Sequence, residues 1–223
     1  MINSYDKLPI GLYLDIQAAT PSDADGGNVL DDLNYQVSIL SALSGLSERE
    51  LLNLPIAEYR DMVQQAAFLT KAPASVKRPA DRYVLGDLIL KPTGDLRKVT
   101  TAQYYDFQAY APEGDAKLVE LLSVFLVPVG HAYGDGYDPL DVQAAIRDNL
   151  PVSDALALVA FFFESWLRLT QDTLRSLEKE ARSTKRIRDP KQRAEILERI
   201  AQTKRDLTNS LQTVGAGLQR LTS

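Results

Sequence analysis

The sequence predicts a mainly α-helical protein with a small β-hairpin and a long C-terminal antiparallel helical hairpin. Apolar residues recur at helical spacing along most of the 223-residue chain. Alternation typical of paired strands is confined to a short stretch around Gly86. Two long amphipathic stretches follow residue 153, and a turn at Asp189-Pro190 separates them. Together these observations favour a helical fold class with a minor two- or three-stranded sheet.

We divide the chain into three regions. Residues 1–70 form an N-terminal helical region. Residues 80–152 contain the β-hairpin and further helices, and we expect them to pack with the first region as one domain. Residues 153–223 form the long helical hairpin. Residues 71–79 contain two prolines and three positive charges, which disfavour regular structure, so we interpret this stretch as a linker.

Four helices are expected in the N-terminal region. Pro9 suits the first turn of a helix, because its missing N–H is not needed there. Gly45 is a typical C-terminal cap of the second helix. Ser47 and Glu50 form a capping box that starts a short third helix. An acidic, Gly-containing loop at residues 19–28 separates the first two helices. The helices are placed at residues 8–16, 29–43, 47–54 and 56–69.

The second region is expected to combine a β-hairpin with three helices. A Gly86-Asp87 turn joins the two strands. Thr100 or Thr101 caps the next helix. A strongly apolar stretch then predicts a buried helix that Pro128 stops, and a loop rich in Gly, Tyr and Asp follows. The strands are placed at residues 83–85 and 88–90, and the helices at residues 101–107, 117–127 and 140–147.

The C-terminal hairpin has a heptad-like apolar seam, as in a coiled coil. Ser153 is expected to cap its first helix, whose apolar residues 155–163 form a buried base. Gly215 and Gly217 are expected to interrupt the return helix near its end. The pattern leaves open whether the seam closes within the chain or binds a partner protein. The residues predicted to bind a partner are Phe163, Trp166, Leu174, Leu177, Ile200, Leu207 and Leu211.

Charge is distributed unevenly along a chain whose formal net charge is -5. Residues 168–205 carry about twice as many basic as acidic side chains, whereas the remainder is acidic. This basic stretch fits either a solvated helix pair with ion pairs along its faces or a surface for an acidic protein. Nucleic acid is disfavoured, because acidic residues are interleaved and the stretch has no aromatic residue beyond Trp166 at its base.

Catalysis has little support in the sequence. His131 is the single histidine, and as a general base it would need a nucleophile and an orienting carboxylate. Ser123 is close in sequence but falls within the predicted buried helix. The chain has no cysteine, which excludes thiolate catalysis and Cys-ligated zinc. We therefore expect a non-enzymatic protein without a cofactor, and we interpret His131 as a loop residue.

Asp135, Asp138 and Asp141 are candidate metal ligands, because they recur at every third residue in a Gly-containing loop. Hard cations bind several oxygens on a bendable loop. The spacing does not match an EF-hand, however, and Asp138 before Pro139 is typical of a helix N-cap. We expect no metal at this loop or at the acidic loop of residues 19–28.

Three segments together are similar to small proteins of tailed-phage and prophage structural modules. The segments are LSALSGLSERELLNLP at 40–55, YVLG at 83–86 leading to LRKVTTAQYYDF at 96–107, and LLSVFLVP at 121–128 with YGDGYD at 133–138. In particular, the chain resembles tail assembly chaperones over roughly residues 8–163. These motifs are helix starts and core positions rather than a catalytic signature.

The resemblance implies a mostly helical, non-enzymatic protein that binds the tape-measure and tail-tube proteins during tail assembly. It implies a place in the host cytoplasm, and no signal peptide or membrane span is expected from the sequence. A homo-oligomer is compatible with this role. The charged C-terminal hairpin departs from the resemblance. It is either an arm that binds the tape-measure protein or the sign of a virion component such as a neck, connector or minor tail protein.

Overall fold

The computed structural model describes residues 1–20, 33–73, 78–184 and 189–220, and of residues 210, 211 and 213–220 it describes the backbone alone. The mainly α-helical class is confirmed. In these ranges the helices are α1 Ile10–Ala19, α2 Leu33–Ser44, α3 Glu48–Leu52, α4 Ile56–Ala66, α5 Thr101–Tyr110, α6 Leu118–Phe125, α7 Pro139–Asn149, α8 Val152–Ser183 and α9 Pro190–Arg220. Short 3-10 segments cover Ala67–Thr70, Leu96–Lys98 and Ala111–Lys117.

A three-stranded antiparallel sheet in the order β1-β2-β3 packs among these helices, with β1 at Tyr83–Leu85, β2 at Leu88–Pro92 and β3 at Leu126–Pro128. The predicted hairpin is confirmed, since Leu85 pairs with Leu88 across the Gly86-Asp87 turn. The third strand corrects the prediction of a helix up to residue 127. The helix ends at Phe125, because Pro128 restricts the residue before it to extended backbone and β2 offers a strand edge for pairing.

Two capping boxes fix the helix starts that the sequence predicted. The Ser47 hydroxyl accepts a hydrogen bond from Glu50 N, and Ser47 N donates to Glu50 Oε2 at 2.8 Å. Thr100 and Gln103 make the same reciprocal pair at the start of α5. Gln103 also donates through Nε2 to Val124 O at 2.9 Å, so the cap of α5 is joined to α6.

The start of the chain lies against the start of α8. Ile10 N donates to Leu150 O at 2.8 Å, and Val152 N donates to Leu8 O at 2.9 Å. Helices α1 and α7 approach closely at Gly11, where an added Cβ would lie 2.3 Å from Arg147 Cγ and 2.7 Å from Arg147 O. The absence of a side chain at Gly11 therefore sets the distance between these two helices.

Two predictions for the C-terminal hairpin were wrong. The N-cap of α8 is Pro151 rather than Ser153, because the helix already begins at Val152 and makes no side-chain cap bond. Gly215 and Gly217 do not interrupt α9, which continues to Arg220. Glycine weakens a helix by about 1 kcal/mol at each position, which is not enough to end α9 at either residue.

One cluster of buried side chains includes residues of the N-terminal helices, the sheet, helices α5 to α7 and the first half of α8. Among its fully buried members are Leu8, Leu40, Leu90, Leu122 and Leu158. The boundaries proposed between the three regions stay a prediction. The acidic loop lies outside the described residues from residue 21 onwards, and the linker does so at residues 74–77.

Candidate functional site

Helix α8 changes character along its length. At a rise of about 1.5 Å per residue, its 32 residues span about 48 Å. Its buried residues lie between Val152 and Thr170, and from residue 171 to Ser183 every described side chain is half-buried or exposed. We call residues 171–184, at the end of α8, and residues 189–205, at the start of α9, the distal arm. The sequence predicted a partner-binding element here.

The distal arm closes on itself along the predicted seam. Lys204 Nζ lies 3.4 Å from Glu178 Oε1, and this ion pair joins the two helices. Ile200 and Thr184 are buried, being 6% and 3% exposed. The start of α9 is fixed by Asp189, whose Oδ1 accepts a hydrogen bond from Lys191 N at 2.9 Å. The seam is thus packed within the chain.

The seven residues predicted to bind a partner fall into three groups. Trp166 and Ile200 are buried within the chain, so a partner would reach them only if the helices separated. Phe163, Leu174, Leu177 and Leu207 are half-buried, and each leaves part of its side chain accessible. The side chain of Leu211 lies outside the described residues. Their binding role stays a prediction.

The base of the arm is held by an aromatic cluster. The Phe107 ring lies 5.7 Å from Trp166 and 5.5 Å from Phe125, measured between ring centroids. Phe125 stacks on Phe162 at 4.5 Å. Such aromatic pairs stabilise by about 0.5–1.5 kcal/mol beyond the burial of their area. The cluster joins α8 to α5 and α6, and it gives the distal arm a rigid support.

Exposed charges dominate the surface of the distal arm. Arg175 Nη1 lies 3.5 Å from Asp172 Oδ1, and both side chains are more than half exposed. Exposed ion pairs of this kind contribute only about 0–1 kcal/mol. Arg182, Lys191 and Arg193 are also exposed. The arm therefore presents many cations that the fold does not need for its stability.

A groove of about 990 Å³ at the base of α8 was not predicted from the sequence. Its floor is a stripe of α8 formed by Ala157, Ala160 and Phe161. One wall is the segment 78–82 and the other is the end of β2 with Gly94. The small residues beside Phe161 were the only available signal. The walls come from segments distant in sequence, which periodicity cannot bring together.

The loop that was considered for catalysis and for metal binding has structural contacts. Asp138 caps α7, and its Oδ1 accepts a hydrogen bond from Leu140 N at 2.8 Å, as predicted. His131 packs edge-on against the ring of Tyr137. Tyr133 donates a hydrogen bond to Asp106 Oδ2 at 2.6 Å, and burial together with this bond raises the pKa of Tyr133 far above its usual value. These contacts fasten the loop to α5.

The described residues contain no group of three His, Cys, Asp or Glu side chains arranged to hold a metal ion. Within the same part of the chain, no helix has the length and apolar character needed to cross a membrane. Ser123 donates its hydroxyl hydrogen to Glu120 O, in its own helix, at 2.7 Å.

Comparisons with protein-family models, with curated proteins and with solved structures each give no match for this chain. Function is therefore inferred from the arrangement of the residues. Their arrangement is a packed, acidic body from which two charged helices extend. It offers two surfaces for other molecules, the distal arm and the groove at its base.

Proposed function

We propose that this protein is a non-enzymatic assembly factor that uses its distal arm to hold a partner protein. One observation carries the proposal: the excess of basic over acidic residues is confined to the stretch 168–205, most of which lies beyond the core. Residues 168–205 carry 12 basic and 6 acidic side chains, although the formal net charge of the whole chain is -5. Since charges on an exposed arm add little to stability, their concentration there is best explained by an acidic partner.

The half-buried leucines supply the apolar part of the proposed interface. Leu174 and Leu177 on α8 and Leu207 on α9 each keep part of their surface accessible beside the closed seam. An amphipathic partner helix binds such a surface through side chains spaced three or four residues apart. The surrounding cations would speed encounter and favour an acidic partner over a basic one.

In its most specific form, the proposal is a tail assembly chaperone of a tailed phage or prophage, whose partners are the tape-measure and tail-tube proteins. The resemblance of residues 8–163 supports this setting, and a polymerising tail tube requires a factor that keeps an extended, helical tape-measure protein accessible. The alternative is a permanent component of the virion. The two differ in whether the protein remains in the finished particle.

The partner-binding role is tested by reversing charge on the distal arm. We expect a tagged variant, Arg182→Glu/Lys191→Glu/Arg193→Glu, to be less effective in cells that make the protein. The amount of partner that co-purifies with it should fall at least about tenfold, because the attraction becomes repulsion. The matched control is Arg49→Glu/Arg60→Glu/Lys7→Glu, which reverses three exposed charges on the body. The proposal would be contradicted if both variants lost the partner equally, or if neither variant lost it.

The chaperone and virion-component forms are separated by quantitative mass spectrometry of cell lysate and purified particles. A chaperone is abundant in the lysate and absent from the particles. A fixed copy number in particles would make the protein a structural component instead. If the producing cells make no particle, the phage setting is wrong, and the arm's partner must belong to another assembly.

A further inference from the structure

The groove at the base of α8 has both walls fixed by hydrogen bonds. Ala80 N donates to the buried Tyr83 hydroxyl at 2.9 Å, which holds segment 78–82 against β1. On the opposite side, Thr93 N donates to Phe125 O at 2.8 Å and holds the end of β2 against α6. Because these contacts set the separation of the walls, a ligand would not need to order them on binding.

The floor of the groove is apolar, and its shape suits an extended chain. Ala160 is small and half-buried, so it leaves room for a ligand side chain beside the half-buried ring of Phe161. Proline forms part of each wall, at Pro79 and Pro92. The volume of about 990 Å³ lies at the upper end of small-molecule sites. An open groove of this size fits a peptide segment with one or more apolar side chains better than an enclosed small molecule.

Charge at the rim indicates the sign of the ligand. Arg78, Arg82 and Lys91 face the groove together with Asp81 and Glu164, so cations are in excess. None of these five side chains takes part in the ion pairs found between described residues. This positive rim belongs to a body that is otherwise acidic. The apolar floor disfavours a nucleic acid, whose binding depends on contacts to a phosphate at every nucleotide and would leave this floor unused.

We propose that this groove binds an extended acidic segment of a protein partner. Carboxylates of the segment pair with Arg78, Arg82 and Lys91, and an apolar side chain of the segment packs on Phe161 and the alanine floor. Bidentate arginine–carboxylate contacts would fix the direction of the segment. The groove lies on the body rather than on the distal arm, so this inference goes beyond the proposed function and stands or falls separately from it.

The test uses the full chain, immobilised, and a random library of displayed twelve-residue peptides as the probe. Selected peptides should combine Asp or Glu with an apolar residue. They should bind Arg82→Glu/Lys91→Glu at least about tenfold more weakly, because two attractions become repulsions. The body variant Arg49→Glu/Arg60→Glu should bind them unchanged. Ala160→Trp, which fills the floor without altering charge, should also abolish binding while circular dichroism shows an intact fold.

Three outcomes would overturn the proposal. The first is a selection that gives no enriched peptides or peptides without acidic residues. The second is acidic peptides that bind the groove variants and the body variant equally well. The third is a single-stranded oligonucleotide that competes for the groove more strongly than the selected peptides, which would assign the site to nucleic acid. The arm variant Arg182→Glu/Lys191→Glu/Arg193→Glu should bind the peptides normally. Failure of the arm proposal can therefore be told apart from failure of the groove proposal.

Discussion

The body and the distal arm of this protein are stabilised by different interactions, although α8 runs through both. In the body, α8 buries Leu158, Phe162 and Trp166 among aromatic and aliphatic side chains of α5 and α6. In the distal arm, the same helix has half-buried leucines on one side and exposed charges on the other. Apolar packing determines stability in the first region. In the distal arm, the exposed charges contribute little to stability, so most of the surface is available to a partner protein.

The largest expected difference between the two regions is the cost of removing a leucine. Leu158→Ala should lower the free energy of unfolding by about 2–5 kcal/mol, because Leu158 is fully buried and its loss leaves a cavity. Leu177→Ala should cost less than about 1 kcal/mol, since part of this side chain is already accessible. Urea denaturation measures both variants. Equal costs would show that the arm belongs to the same packed core.

A close helix contact in the body gives the next largest effect. Gly11→Ala should destabilise by about 1–3 kcal/mol, because the new Cβ would overlap the backbone oxygen of Arg147, which cannot move alone. This cost should exceed the gain in helix propensity of about 1 kcal/mol. Gly94→Ala is the control, since nothing lies within 4 Å of its added Cβ. Thermal unfolding that ranks Gly94→Ala as the worse variant would contradict the packing of α1 on α7.

The closed seam predicts a local effect in the arm. Leu174→Asp/Leu207→Asp should place two charges beside the seam, reduce helical circular dichroism and abolish partner capture. The fluorescence of Trp166, the single tryptophan, should remain that of the folded body, because its ring packs on Phe107. Unfolding of the whole chain would mean that the seam supports the body. Intact helicity together with intact partner capture would show that the seam does not take part in partner binding.

The smallest effect concerns acid stability of the body. Hydrogen bonds from the Arg97 side chain and backbone lower the pKa of Asp95 from 3.8 to about 2. A lowered pKa stabilises the fold above the unfolded value, and this contribution is lost as pH falls from about 4 towards 2. In the Asp95→Asn variant, the urea midpoint of unfolding should therefore fall less steeply between pH 5 and pH 3 than in the unmodified protein. An unchanged slope would show that the Asp95–Arg97 contact does not persist in solution.

Local signals in the sequence were sufficient for the helix starts and the hairpin. Ser47, Thr100 and Asp138 cap their helices as predicted, because capping depends on residues only two or three positions away. Strand β3 was not predicted, since Leu126 and Val127 are as apolar as the helix before them. Their extended form depends on pairing with β2, more than thirty residues earlier, which no local pattern contains.

The candidate sites were predictable to different degrees. The sequence located the arm and its excess of basic residues, because both properties belong to contiguous stretches. It did not reveal that Trp166 is part of the aromatic cluster, since the position of Phe107 against α8 is a tertiary contact. The walls of the groove could not be predicted, because they come from segments that are distant in sequence from the α8 floor.

The central claim, that the distal arm holds a partner protein, is tested most directly by amine cross-linking in cells that make the protein, followed by mass spectrometry. The arm offers Lys179, Lys191 and Lys204, whereas Lys7 and Lys98 are exposed on the body. We predict that cross-links to a second protein are concentrated on the three arm lysines. Cross-links confined to Lys7 and Lys98 would contradict the claim.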